Sequence, residues 1–517
     1  MVQGLPSKHE IWGWHEKLAG MGTRYTGSPG HAKFINWLKK KFSEEVPNFK
    51  VNSDPLKLDR WLAEPEDCSL SISQDPAVGP SESVPITYYY PYSGKTEPGG
   101  ITRRLVDLGE YAPAWYSAAF WARATGEIAL VRVPPCTFTL DVGQLPTGGF
   151  EPGQLSPDSP DAVVDYLVDA ELVTNPVFQT FATVPLLDAR NAGVRGVICV
   201  WTGMSDDQVA NQYNPFITGY PTDDGRPKSK NDPGCPALWV GDRTGQRLAD
   251  WAAKGQPNVT LTLDASIQIG AATETIWGML PGSGPDHERG LIVNTHTDGP
   301  NVPEENGALG LLALAKYFAK RQHRRDLYFV MVTGHFQLPQ FLQKIPNPRF
   351  VIGNDATSRW MNEHPAIYQK AVAGLTMEHL GCKRWADDDY GNYVFTGEYE
   401  WGATYTTQRQ GSLSPFNLEQ QAYLNALWTT NNSGDIAYPA VTMLPVPLFF
   451  GEGAPLYAGG LGTVSLCPLP SYLLQAGSRT HPKKLNLDKL DKDLIYGQIL
   501  SFARTISALD AAPTEDF

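Results

Sequence analysis

Three apolar runs in the second half of the chain each end in a residue that can bind a metal. LIVNTH ends at His296, DLYFVMVTGH at His335, and AVAGLTMEHLG carries Glu378 and His379. Runs with so few polar interruptions are what strands buried on both faces look like, and such strands belong to parallel sheets. Helical sequence alternates with them. GALGLLALAKYFAKRQ puts Leu311, Leu314, Ala315 and Phe318 on one face, with Glu304 and Glu305 before its start and Lys316, Lys320 and Arg321 in its second half, as the helix dipole favours. The alternation continues through GTVSLC to a last helix, LDKDLIYGQILSFARTISAL. This pattern predicts an α/β domain, a three-layer sandwich around a mostly parallel sheet. Ligands of such sheets bind beyond the carboxyl ends of the strands, which is where these side chains fall.

The chain has 517 residues, too many for one ordinary core. Apolar residues make up 42% and charged residues 19%, as expected of a folded protein rather than a disordered one. Lys and Arg number 42 against 55 Asp and Glu, and the formal charge of −13 argues against nucleic acid and anionic membrane surfaces as partners. No run reaches the roughly 18 apolar residues of a membrane-spanning helix. The first residues, MVQGLPSKHEIWGWHEKLAG, lack the basic and apolar regions of a signal peptide, so a cytoplasmic location is favoured. The six cysteines are scattered, form no CxxC pair and include Cys199 inside the apolar run GVICVW; free buried thiols are expected.

Ahead of the alternating region, residues 9–46 predict two helices around the turn TRYTGSPG, the second with Phe34, Leu38 and Phe42 at helical spacing. Residues 50–107, including PITYYYPYSG, predict short strands and loops whose tyrosines pack in a β layer. From about 108 to 268, GEIALVRV, DARNAGVRGVICVW, CPALWVGDRTGQRLADWAAKG and NVTLTLDA predict a separate α+β unit. The stretches 144–180 and 203–234 are long and loop-like, a length that usually serves function or contacts.

In order along the chain, these segments resemble the di-zinc aminopeptidase superfamily that includes glutamate carboxypeptidase II and the transferrin receptor. TRYTGSPGHAKFINWLKKKF is similar to its opening Arg-x-x-Gly-Ser-x-Gly loop and helix. The unit at 108–268 is similar to the protease-associated domain that many members carry as an insertion. MLPGSGPDHERGLIVNTHTDG with EENGALGLLALAKYF is similar to the first metal-ligand segment, and THPKKLNLDKLDKDLIYGQILSFA to the C-terminal region. The resemblance implies an aminopeptidase-like domain formed by residues 1–58 and 271–517, interrupted by an insertion at 59–270. Members are often dimers, so it also implies a homodimer as a possible assembly.

The same resemblance assigns roles. His296 stands at the first zinc ligand, with Asp298 two residues on as an orienting group. Glu305, followed by Asn306, stands at the bridging carboxylate, and Glu378 at a later ligand. Where the family has a Glu-Glu pair, a general base and a ligand, this chain has His335 and Phe336. Where it has its last His ligand, the chain has Gly453, beside Glu452. Phe and Gly offer no donor side chain, so a family-like pair of zinc ions is not expected. The expected metal ligands are His296, Glu305, Glu378 and His335, holding one zinc ion; two imidazoles and a carboxylate also suit another divalent metal such as Fe(II). The expected catalytic residues are His335, Asp298 and Glu452, with His335 as a second ligand imidazole or as the proton carrier. Glu304 is expected to be solvated. His379, adjacent to Glu378 on a strand, is expected to face away from it.

These residues predict a metal-dependent enzyme acting on an amide, peptide-like or related small-molecule substrate. Two alternatives use the same cleft: a catalytically inactive relative that binds a protein or ligand, with no metal, and a lyase or cyclase. No Gly-x-Ser-x-Gly elbow, phosphate loop or dinucleotide fingerprint points to other chemistry.

Overall fold

The computed structural model describes residues 4–73, 82–111, 118–135, 148–150, 184–213, 234–255, 257–337, 356–400, 403–406, 441–443 and 451–514. Most of 144–180 and part of 203–234 therefore lie outside the described residues, as does Cys136.

Two helices open the chain, α1 (Lys8–Ala19) and α2 (Pro29–Glu45). Each begins at a serine whose hydroxyl accepts a backbone N–H of the first turn, Ser7 from Glu10 and Ser28 from His31, and Pro29 occupies the first turn of α2, where its missing N–H costs nothing. A long strand follows, β1 (Asn52–Ser73). Then come β2 (Ile101–Glu110), β3 (Ile128–Val133), β4 (Gly196–Trp201), β5 (Ala237–Gly241) and helix α3 (Asp242–Gly255). Strand β6 runs unbroken from Asn258 to Leu280. The sequence suggested two strands here, NVTLTLDA and TIWGMLPGSG. They merge because β1 pairs antiparallel along nearly all of β6, from Asn52 opposite Trp277 to Ser73 opposite Asn258.

That ribbon joins two halves of one sheet. On one side the order is β5-β4-β3-β2-β6, with β2 to β5 parallel. On the other it is β6-β8-β7-β9-β10, where β7 is Leu291–His296, β8 Leu327–Val332, β9 Ala373–Met377 and β10 Gly462–Leu466. Strands β7 to β10 are parallel, and His296 lies opposite Val332. Helices cover both faces of this half. One face carries α1, α2, α5 (Gly307–Phe318) and α8 (Lys492–Ala511). The other carries α6 (Ala356–Glu363) and α7 (Gly453–Ala458), through Trp360, Met361 and Leu456 packed on Ile292, Val330 and Val332. The fold is thus the expected three-layer α/β sandwich, with the N-terminal helices packed on its main sheet.

Phe34, Leu38 and Phe42 are all fully buried, as their spacing predicts. Helix α5 departs from the one-sided expectation. Every residue in it except Lys316 is buried, because α1, α2 and α8 enclose the side turned away from the sheet. Lys316 escapes by pairing with Glu10 and Glu45. Cys68, Cys199, Cys235, Cys382 and Cys467 are free buried thiols. Among the described residues no helix is long and apolar enough to cross a membrane.

Two outcomes are expected. A Cβ at Gly307 would lie 2.0 Å from the Met377 carbonyl oxygen and 2.3 Å from Thr295 Oγ1, both on the sheet. Gly307→Ala should therefore destabilise the protein in urea titration, whereas an open helical site gains up to about 1 kcal/mol from the same change. His15 in α1 is held neutral by burial, which lowers its pKa to about 4 against a weaker opposing hydrogen bond to the Ile11 carbonyl. The unfolded chain binds that proton from about pH 6.5, so this contribution to stability is complete above about pH 6.5 and falls away as pH drops toward 4. His15→Leu should flatten the fall, measured by urea titration at several pH values.

Candidate metal centre

The carboxyl ends of β7, β8 and β9 converge as open parallel sheets require, and the loops that leave them carry the expected side chains. His296 is the last residue of β7 and is fully buried. Its Nδ1–H donates to the Asp298 carbonyl at 2.9 Å, which turns Nε2 inward. That Nε2 has no hydrogen-bond partner. It lies 3.9 Å from Glu304 Oε1 and 3.9 Å from Glu378 Oε2. Burial and the neighbouring imidazoles of His335 and His379 hold His296 well below the usual histidine range, so it is a neutral ring with a lone pair aimed at two carboxylates.

His335 follows β8. Its ring stacks on that of His296, with centroids 4.1 Å apart. Its Nδ1 pairs with Glu452 Oε1 at 2.6 Å, and its Nε2 is 3.9 Å from Glu304 Oε1. Burial alone would lower its pKa; the hydrogen bond and charge of Glu452, with the charges of Glu378 and Glu304, outweigh burial and bring it to about 10. Glu452 is held on its other side by the Thr357 N–H at 2.9 Å. The loop carrying His335 is fixed by Asp298, whose carboxylate accepts from the Thr26 hydroxyl and from the backbone N–H groups of Gly334 and Phe336. Asp298 therefore acts on both imidazoles, through its carbonyl on His296 and its carboxylate on the turn around His335.

Glu378 is fully buried just beyond β9. One oxygen accepts the Glu452 N–H at 2.7 Å and the other the Cys467 thiol at 3.2 Å. Burial raises its pKa, against the pull of His379 and His335. Gly451 permits this approach: its φ is +66°, and a Cβ there would fall 2.1 Å from Glu378 Oε2.

Three placements differ from the sequence reading. Glu305 is turned away from the imidazoles and pairs with buried Arg24 at 2.7 Å. Burial raises it to about 8 even against that guanidinium. Glu304 is not solvated but 1% exposed, and it is the carboxylate that faces His296, His335 and His379. Both lie in the single-turn helix α4 (Val302–Glu305), where adjacent side chains point about 100° apart, so one carboxylate can face the cluster while the other serves Arg24. His379 does not face away from Glu378. Strand β9 ends at Met377, and His379 takes φ +53°, which breaks the alternation and brings its Nε2 to 3.3 Å from Glu304 Oε2 and 3.8 Å from Glu378 Oε2. Its Nδ1–H donates to the Pro468 carbonyl at 2.6 Å, and although burial lowers its pKa, the charge of Glu304 and a side-chain hydrogen bond to it outweigh burial and raise it. The doubled Glu304-Glu305 before a helix was the one sequence signal for the first correction; nothing in the sequence announced the second.

Phe336 and Gly453 supply no donor. Phe336 is fully buried among Tyr25, Tyr88 and Tyr213. Gly453 begins α7, and a Cβ there would meet Ser465 Oγ at 2.9 Å.

Two three-residue groups around His296 have ligand atoms all within 4.8 Å of one another: His296 with Glu304 and His335, and His296 with Glu378 and His379. Donors about 2.0–2.3 Å from one tetrahedral zinc lie roughly 3.3–3.8 Å apart. The contacts of His296 and His379 with Glu304 and Glu378, at 3.3–3.9 Å, are close to that spacing. Two buried imidazoles with inward nitrogens that face carboxylates, each fixed by a carbonyl on its other nitrogen, are the donor chemistry a divalent metal takes.

No protein-family model matches the chain, and no curated protein does. Solved structures match it over nearly its whole length. A zinc aminopeptidase from Bacillus subtilis is 13% identical with a TM-score of 0.57, covering 100% of this chain and 99% of that one. A peptidase M28 precursor from Shewanella amazonensis SB2B is 13% identical with a TM-score of 0.57, covering 98% of each chain. An aminopeptidase from Aneurinibacillus sp. strain AM-1 is 14% identical with a TM-score of 0.55, covering 98% of this chain and 94% of that one. The chain therefore has the fold of the zinc aminopeptidases.

Proposed function

We propose that this chain is a metal-dependent enzyme acting on an amide or peptide-like substrate, with one divalent cation, zinc by the likeness in fold. The observation that carries the reading is the pair of buried Nε2 atoms of His296 and His379, both directed at Glu304 and Glu378. These four residues would hold the cation; Glu304 takes the place given to Glu305 by sequence, and His379 joins as a ligand. A bound cation supplies Lewis acidity toward a substrate carbonyl or a water molecule.

The remaining chemistry belongs to His335 and Glu452. The Glu452 carboxylate favours the protonated imidazole, so at neutral pH His335 Nε2–H is a proton donor beside the cluster. A donor there suits protonation of a departing amine. Asp298 and Thr357 keep the pair in place, and the rings of His296 and Phe336 restrict water around it. Phe336 and Gly453, the positions the resemblance gives to further ligands, carry no donor side chain.

Protein purified without added zinc should carry about one metal per chain by mass spectrometry. His296→Ala and Glu304→Gln should each weaken zinc binding by at least about tenfold, the scale on which even outer-sphere changes act. Glu305→Gln should leave zinc affinity within a few-fold and cost stability, since it removes one member of a buried ion pair. Equal losses of zinc from Glu304→Gln and Glu305→Gln would return the ligand role to Glu305. His335→Ala should keep the metal and lose turnover of a responsive peptide substrate by at least about 100-fold. Simple aminoacyl chromogenic substrates should react poorly. Wild-type protein free of metal, with no turnover across a peptide library, would leave the binding-protein reading in its place.

A further inference from the structure

The single turn that carries Glu304 is seated from a distance. Asn301 caps it: Oδ1 accepts the Glu304 N–H at 3.0 Å, while Nδ2 donates to the carbonyls of Tyr472, Leu473 and Gln475 at 3.1, 2.7 and 2.8 Å. The loop at 472–475 is therefore the anvil on which Glu304 is set. That loop is gripped from its other side by residues 206–213, which follow β4. Tyr213 N–H donates to the Leu474 carbonyl at 2.7 Å, Ala476 N–H to the Asn211 carbonyl at 2.8 Å, and Gln475 Nε2 to the carbonyls of Asp207 and Gln208, both at 2.8 Å.

Gln475 can make that last contact only in one orientation of its amide, and Lys489 sets it. Lys489 is 1% exposed and its ammonium has donors only, so the group it meets at 2.7 Å must be Gln475 Oε1. The Nε2 is thereby turned to the two carbonyls of residues 206–213. A second amide oxygen, Asn486 Oδ1, lies at 3.3 Å, and Asn486 Nδ2 donates to the Tyr472 carbonyl at 3.1 Å. The rings of Trp385, Tyr393 and Tyr472 surround the ammonium, with centroids 5.3, 5.0 and 5.0 Å away. A buried ammonium is expensive, and burial lowers the Lys489 pKa to about 7 despite the rings and amide oxygens around it, with no carboxylate among these contacts.

We propose that Lys489 and Gln475 are positioning residues that clamp segment 206–213 onto the loop seating Glu304, so that the geometry at Glu304 depends on how the insertion is docked. The importance of Glu304 rests on the function proposed above; the clamp does not. Hydrogen–deuterium exchange on the metal-free protein tests it. Lys489→Met removes the ammonium. Gln475→Glu is the milder variant: it keeps an acceptor for Lys489 and removes the donors facing Asp207 and Gln208. In both, exchange should speed up by about tenfold or more, a local-opening change, in peptides covering 302–306 and 206–213, while β8 stays protected. Zinc titration against a chromophoric chelator should show weaker binding in the same variants. Acceleration confined to residues near the substitution, with 302–306 unchanged, would overturn the clamp. Faster exchange at 302–306 with unchanged zinc affinity would keep the clamp and count against Glu304 as a ligand.

Discussion

Six ionisable side chains, three imidazoles and three carboxylates, share a desolvated space at the end of a parallel sheet. His296, Glu304, Glu378, His379 and Glu452 are at most 2% exposed. A buried charge is costly unless it is paired, and the structure pairs these groups with one another and with backbone N–H and carbonyl groups. The inward-facing Nε2 atoms of His296 and His379 meet the carboxylates of Glu304 and Glu378 at 3.3–3.9 Å. The surrounding architecture follows from keeping those atoms directed at one another.

The supports come from far apart in the chain. Thr26 and Arg24, in the loop between the first two helices, reach Asp298 and Glu305. The Asp298 carboxylate then ties down the turn around His335. Pro468 and Cys467, just after β10, orient His379 and Glu378. Residues beyond the ends of several strands and the loop between the first two helices thus meet in one small space. The cluster that holds Tyr25, Tyr88, Tyr213 and Phe336 adds apolar surface beside His335 and His296.

Much of this was legible in the residues. The apolar strand ending in His296, the helical spacing of Phe34, Leu38 and Phe42, and the five free buried cysteines among the described residues appear as read, while the second apolar strand stops at Val332, short of His335. The choice between Glu304 and Glu305 was not legible. Both are carboxylates at the start of a helix, and only the position of Arg24, 281 residues away in sequence, decides which one turns inward.

The sequence by itself determined the class of fold and the chemical types at the strand ends, since hydrophobic period and residue identity are local properties. Tertiary structure alone decided the constellation. The left-handed backbone at His379 undoes the alternation that a strand would impose. The one-turn helix at Glu304 is aimed by a loop 170 residues further on, through the Asn301 contacts to Tyr472, Leu473 and Gln475. The acceptors in these contacts are backbone carbonyls, which every residue carries, so the order of side chains does not mark which loop the Asn301 amide will meet.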